Sequence, residues 1–227
     1  MTGASYKELS LCDNCTTPCS LLNNIPLFSW IQQKGICSNC KKPLSFLYLL
    51  IPIITTAAFY LLLHYIPAPY QGAYSFFYAA LLITIFTDAR YMLISRFVTV
   101  YLLPIPVLLS LLKLLPLTPH QVMLGALSGY FVLTGISYIF SHLMKKQGMG
   151  QGDIDLLCFI GAFLGVGGWW ISLLIASCVG SVIGIPYLLI TKQDKQTRIP
   201  FGPFLALGAM IYTLWGDILF ALLFPTF

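Results

Sequence analysis

Residues 44–66 read LSFLYLLIPIITTAAFYLLLHYI, 23 positions without one Asp, Glu, Lys or Arg. At 1.5 Å per residue this is roughly 35 Å of helix, enough to cross the ~30 Å hydrocarbon layer of a bilayer. The rest of the chain repeats the pattern. Further apolar runs, each bounded by charge, Pro or Gly, cover about 72–87, 97–117, 122–142, 154–168, 170–190 and 201–224. The stretch from Leu156 to Thr191 carries no charge and is too long for one crossing. It is expected to form a helical hairpin turning near Gly165-Val166-Gly167-Gly168, with Trp169 and Trp170 at the membrane interface that indoles favour. Pro52, Pro104 and Pro106 fall inside runs and predict kinks stabilised by neighbouring helices.

Composition agrees. Of 227 residues, 58% are hydrophobic and 8% charged, whereas a soluble domain carries roughly 25% charged residues because its surface faces water. Soluble and disordered classes are excluded. Alternating strands of about ten residues are absent, which argues against a transmembrane barrel. The fold class is therefore all-α: a polytopic membrane protein with about seven transmembrane helices over residues 44–227, preceded by a small polar segment, 1–43.

Orientation follows from the basic residues. With the N-terminus in the cytoplasm, the inside segments hold Lys7, Lys34, Lys41, Lys42, Arg90, Arg96, Lys145, Lys146, Lys192, Lys195 and Arg198, which is 11 of the 12. Lys113 alone falls outside. The net charge of +5 is thus a matter of topology, and a nucleic-acid partner loses its support. About forty residues precede the first apolar run, so no signal peptide is expected.

Residues 1–43 hold five of the seven cysteines. Cys12-Asp13-Asn14-Cys15 and Cys37-Ser38-Asn39-Cys40 are two CxxC pairs separated by 21 residues, the spacing of a four-thiolate structural zinc site. In so short a segment a metal would replace the core that the chain cannot build. A cytoplasmic location disfavours the rival reading, a pair of disulfides. Cys19 competes with Cys15 as a ligand, while Cys158 and Cys178, inside runs, read as small core packers. His64, His120 and His142 are scattered over span ends without metal spacing.

Carboxylates in or beside the hydrocarbon are costly and mark function. Glu8, Asp13 and Asp194 lie in polar segments, and Asp217 reads as an interfacial or interhelical acid. Asp88 closes the second run in IFTDAR, and Asp153 opens the fifth in GMGQGDIDLL. The two are 65 positions apart, yet both fall on the inner side at similar depth. Taken singly, Asp88 could be an interface acid paired with Arg90, and Asp153 a first-turn acid favoured by the helix dipole. Neither account explains Gly148, Gly150 and Gly152, which remove three side chains just before Asp153 and let a substrate strand approach the backbone.

Two apposed carboxylates are the chemistry of an aspartic protease: like charges about 3 Å apart cannot both ionise, so one proton is shared. Spacing alone leaves a small proton-coupled transporter open, because it too places paired acids near helix breaks. A transporter should hold its acids nearer the midplane. A catalytically silent assembly factor is the third reading. Asp155 rivals Asp153, but two positions are about 200° round a helix, so both cannot face Asp88. No serine sits in a recognisable nucleophile turn, which leaves a rhomboid-like serine protease poorly supported.

Together the two CxxC pairs, Thr87-Asp88-Ala89-Arg90, the run Gly148-Met149-Gly150-Gln151-Gly152-Asp153, and Pro200-Phe201-Gly202-Pro203-Phe204 resemble, in order and over nearly the whole chain, the prepilin peptidases (type IV leader peptidases). These are aspartyl proteases of the GxGD kind. The resemblance implies a multi-pass protein of the bacterial inner membrane whose catalytic pair is Asp88 and Asp153. The CxxC spacing adds zinc on Cys12, Cys15, Cys37 and Cys40, and the charge bias leaves no nucleic acid as partner. The substrates would be prepilins or pseudopilins of type IV pilus or type II secretion systems, cut after a glycine to remove a short basic leader at the cytoplasmic face.

Several positions depart from the family pattern. Members usually begin with one more membrane helix, whereas this chain starts eleven residues before Cys12, as a short form or a mis-called start would. Bifunctional members also N-methylate the new terminus and carry Arg-Gly-Lys before the second cysteine pair, where Lys34-Gly35-Ile36 stands here. S-adenosylmethionine is therefore expected only if that second activity is retained. The first pair reads CDNC rather than the usual Pro-containing form. Position 155, often Lys in relatives, is Asp, an anion beside the expected catalytic acid.

Overall fold

The protein is described by a computed structural model that covers Lys41 and residues 47–145, 149–191 and 200–223. Within these limits it is helical, with no strand among the described residues. The helices are α1 (Leu47–Tyr65), α2 (Ala68–Tyr91), α3 (Pro104–Leu111), α4 (Pro119–Met144), α5 (Gln151–Thr191) and α6 (Gly202–Leu223). A π-helical turn, Phe97–Tyr101, precedes α3. The described residues up to Tyr60 belong to one compact unit and those from Leu61 onward to another, which contains the site described below.

The all-helical, multi-pass expectation is met. Among the described residues four helices are long and apolar enough to cross a bilayer: Ala68–Tyr91, Pro119–Leu143, Gln151–Gly184 and Gly202–Leu222. The third is two crossings in one. Gly165 has φ 71° and ψ −171°, a backbone conformation open essentially to glycine alone, and it divides the 41-residue α5 into two arms. Both Asp153, on the first arm, and Gly180, on the second, lie by Phe201, so the chain travels out and returns. The uncharged run therefore turns where its glycines predicted.

Among the described residues, two expected spans, 44–66 and 97–117, appear only as shorter apolar helices, and 97–117 is also interrupted. The latter is broken into the π-helical turn and the eight-residue α3, because Pro104 and Pro106 supply no N–H for a continuous ladder. Pro52, by contrast, lies within an unbroken α1. The turn into α4 is set by LTPHQ. Thr118 and Gln121 form a reciprocal capping box, and Pro119 occupies the first helical turn, where its missing donor costs nothing.

The core lies where α2, α5 and α6 meet. Phe77 of α2 stacks on Phe163 of α5 with centroids 4.6 Å apart, and Phe159 packs against both. Tyr78 reaches across to donate a hydrogen bond to the Met210 carbonyl at 3.0 Å, which fixes α2 against α6. The outer faces are as apolar as the core. Tyr138, Val182 and Leu222 are all exposed, as expected of side chains that face lipid rather than water.

Some residues sit differently from their sequence expectation. Trp169 is buried and donates to Ser128 Oγ at 2.8 Å, so only Trp170 is left exposed as an interface indole. Cys158 is a core packer as expected, but Cys178 is exposed. Its position on the second arm of α5 points away from the bundle, which apolar character alone could not reveal.

Candidate active site

Asp88 lies in the last turn of α2, three residues before the helix ends at Tyr91. Met92 then closes the helix in the left-handed conformation, its N–H donating to the Asp88 carbonyl oxygen. The Asp88 side chain turns inward and is 5% exposed. Its Oδ2 accepts a hydrogen bond from the Gly202 N–H at 3.1 Å, the first residue of α6. The orphan donor of a helix N-terminus thus meets a carboxylate. Arg90 is not its partner: the guanidinium lies over the Tyr91 ring, 5.6 Å from its centroid.

Asp153 is in the first turn of α5, and its N–H donates to the Gly150 carbonyl at 3.2 Å. It is half-buried and lies within electrostatic reach of Asp88. Two acids from helices far apart in sequence therefore share one site. Both sit at helix ends rather than at mid-span.

That site is a cavity of about 740 Å³ with three walls. One is the end of α2 and the segment after it, contributing Asp88, Met92, Leu93, Ile94 and Arg96. The second is the approach to α5 and its first turn, from Met149 to Asp153 together with Asp155. Pro200 and Phe201, leading into α6, form the third. Glycine permits the walls to meet. A Cβ on Gly152 would lie 2.8 Å from Ile94 Cβ, and one on Gly202 would lie 2.6 Å from Asp88 Oδ2. The Gly-rich approach to Asp153 and the PFGPF stretch are thus parts of one site.

Asp155 lines the same cavity as Asp153 but is held by partners of its own. It is buried, accepts from Gln151 Nε2 at 3.2 Å, and pairs with Arg96 at 3.5 Å. Sequence reasoning missed Arg96 as its partner. The only signal was a second acid beside Asp153, with no cation near it in sequence.

Cys12, Cys15, Cys37 and Cys40, the expected zinc ligands, lie outside the described residues, as do Cys19, Lys34 and Gly35. Among the described residues no three His, Cys, Asp or Glu side chains group as a metal set.

Comparison with known proteins places this arrangement. The model of the type IV leader peptidase family matches residues 75–185, which carry both acids, and the model of the bacterial peptidase A24 N-terminal domain matches residues 4–66. The prepilin leader peptidase/N-methyltransferase of Aeromonas hydrophila is 37% identical over 214 residues, covering 92% of this chain and 72% of the relative. Proteins of the same name from Stutzerimonas stutzeri and Pseudomonas aeruginosa are each 32% identical over 212 residues, with the same coverage. No solved structure matches the chain. With one family spanning the helices that bring the acids together and its N-terminal domain spanning the cysteine pairs, this chain belongs to the type IV leader peptidase family.

Proposed function

We propose that this protein is a membrane endopeptidase that removes the leader from prepilin-type substrates, with Asp88 and Asp153 as its water-activating pair. The observation that carries the proposal is the meeting of these two acids, 65 positions apart, in one cavity at the ends of their helices. One carboxylate takes a proton from water as the water attacks the peptide carbonyl. The other, protonated, polarises that carbonyl, and the shared proton then passes to the leaving amine. Gly150 and Gly152 leave the start of α5 bare, so an extended leader can lie against its backbone. Placement at helix ends suits a bond just outside the hydrocarbon, next to the helix that anchors the mature substrate. It does not suit a transporter, whose acids belong nearer the midplane.

In this reading the cavity faces the cytoplasm of a bacterium from the inner membrane, as the bias of 11 basic residues in 12 supports. Residues 1–43 fold around a structural zinc held by Cys12, Cys15, Cys37 and Cys40, a proposal that rests on the CxxC spacing. Zinc content of the purified protein, near one ion per chain and lost in Cys37→Ser, tests it. The substrates are pilins or pseudopilins. Methylation with S-adenosylmethionine belongs to the proposal only if assays of the cleaved terminus detect it.

The test of the peptidase is processing of a prepilin-type substrate in membranes by wild type, Asp88→Ala and Asp153→Ala at matched expression. Wild type should cleave and both variants should not. Processing that survives Asp153→Ala but disappears in Asp155→Ala would move the second catalytic acid by two residues.

A further inference from the structure

The cavity holds one charged pair that the two-aspartate chemistry does not use. Asp155 is 4% exposed, yet only its Oδ1 has a hydrogen-bond donor, Gln151 Nε2. Its Oδ2 accepts no hydrogen bond and lies 3.5 Å from Arg96 Nε. A carboxylate taken out of water requires a counter-charge, and among the described residues Arg96 is the cation that reaches it. The arginine side chain is itself 72% exposed, so the pair is stretched from the solvent into the wall of the cavity.

Its position in the chain gives the pair a purpose. Arg96 ends the short segment that begins just after α2, the helix of Asp88. Asp155 stands two residues after Asp153. The ion pair therefore joins the segment following one acid to the helix turn carrying the other. Between these anchor points Ile94 fills the notch made by two glycines: Cβ atoms on Gly152 and Gly202 would lie 2.8 Å and 3.0 Å from its side chain. Gly202 is also the residue whose N–H holds Asp88. Segment, notch and ion pair close a ring of contacts around the two acids.

We infer that Arg96 and Asp155 form a positioning latch, which clamps the 92–96 segment against the start of α5 and so fixes the spacing of Asp88 and Asp153. The inference rests on the reading of those two acids as the catalytic pair. Asp155 touches neither the scissile bond nor the attacking water in this assignment; its charge matters through Arg96. A misplacement of reacting groups by about 1 Å can cost on the order of 100-fold in rate, so a loosened clamp should act on kcat rather than on substrate binding.

Reciprocal charge exchange separates a latch from a catalytic acid. Arg96→Ala, Asp155→Asn and the double variant Arg96→Asp with Asp155→Arg are compared with wild type for kcat and KM on a prepilin-type substrate. Each is normalised to folded protein judged by thermal denaturation in detergent. Hydrogen exchange of the 92–96 amides is measured on the same samples. The single variants should lose about tenfold or more in kcat with KM little changed, and exchange of the segment should rise. Arg96→Lys, which keeps the charge, should keep most of the rate. The exchanged pair should recover most of the lost kcat and the slow exchange, which no variant lacking a reacting carboxylate could do. Wild-type kcat in Asp155→Asn would overturn the latch. So would an exchanged pair that is folded but as slow as Asp155→Asn. If the exchanged pair does not fold, Arg96→Gln and Arg96→Lys decide: equal rates in the two overturn the latch. If wild type cleaves no prepilin-type leader, the peptidase reading fails, and the exchange rates still decide whether the pair clamps the segment.

Discussion

Glycines have opposite consequences in two regions of α5. At its start, Gly150 and Gly152, with Gly202 of α6, surround two carboxylates and leave a cavity of about 740 Å³. Farther along, Gly125 of α4 and Gly161 of the first arm are pressed together, and a Cβ on either would collide with the backbone carbonyl of the other. Both stretches follow the small-xxx-small pattern of membrane helix pairs, Gly125-Ala-Leu-Ser-Gly129 against Gly161-Ala-Phe-Leu-Gly165. In lipid, where apolar side chains gain little by leaving one solvent for a similar one, such close approach replaces hydrophobic burial as the source of helix association. Stability is therefore concentrated in the seam, and chemistry at the open end. The two should be separable by mutation.

The largest effect belongs to the open end. Asp153→Asn keeps size and polarity but removes the proton-transferring group, and prepilin processing should fall on the order of 1,000-fold. Melting in detergent should be unchanged. A matching loss of folded protein would make Asp153 a structural acid and erase the contrast between the regions. Next comes the seam. Gly161→Ala puts a methyl into the Gly125 carbonyl, and the overpacking should cost about 1–3 kcal/mol, seen as earlier thermal unfolding. The fraction that remains folded should cleave at the wild-type rate.

The same contrast explains what could be read in the sequence. Spans announce themselves through length and lack of charge, which the bilayer dictates directly, and Gly165 was marked as a turn by its neighbours Gly167 and Gly168. Asp88 and Asp153 were legible because a carboxylate at the membrane edge needs a reason. Pairing was harder. That Trp169 turns inward to Ser128, or that Arg96 reaches Asp155, depends on which faces of two helices oppose each other, and a uniformly apolar sequence has no polar side to show it. The π-helical turn at Phe97–Tyr101 was hidden for a related reason, since it depends on how the chain relaxes ahead of Pro104.

Gly202 sharpens the comparison because there close approach serves the chemistry. Its N–H holds Asp88 Oδ2 at 3.1 Å, and a Cβ would stand 2.6 Å from that same oxygen. Gly202→Ala must therefore displace the carboxylate or the start of α6. Cleavage should fall about tenfold, through kcat, by misalignment of the pair. Melting should shift less than in Gly161→Ala, because the yielding atom is the end of a side chain rather than a backbone carbonyl. A larger shift in melting than in kcat would place Gly202 with the seam.

The smallest effect tests whether polar contacts add to the seam. The Trp169 indole lies beside two glycines of that seam, Gly161 and Gly129, and donates to Ser128 Oγ at 2.8 Å. Trp169→Phe removes the donor and part of the ring. Ser128 keeps an outlet, because its own hydroxyl donates to the Gly125 carbonyl at 3.2 Å, so the half-buried hydroxyl is not left wholly unsatisfied. The loss should be about 1 kcal/mol in detergent unfolding, with prepilin cleavage unaffected. Ser128→Ala in the Trp169→Phe background should then add only what its own bond to the Gly125 carbonyl contributes, since the indole hydrogen bond is already gone. Additive losses would mean that Ser128 and Trp169 support the helix pair independently, leaving the glycine contact as the seam's sole shared element.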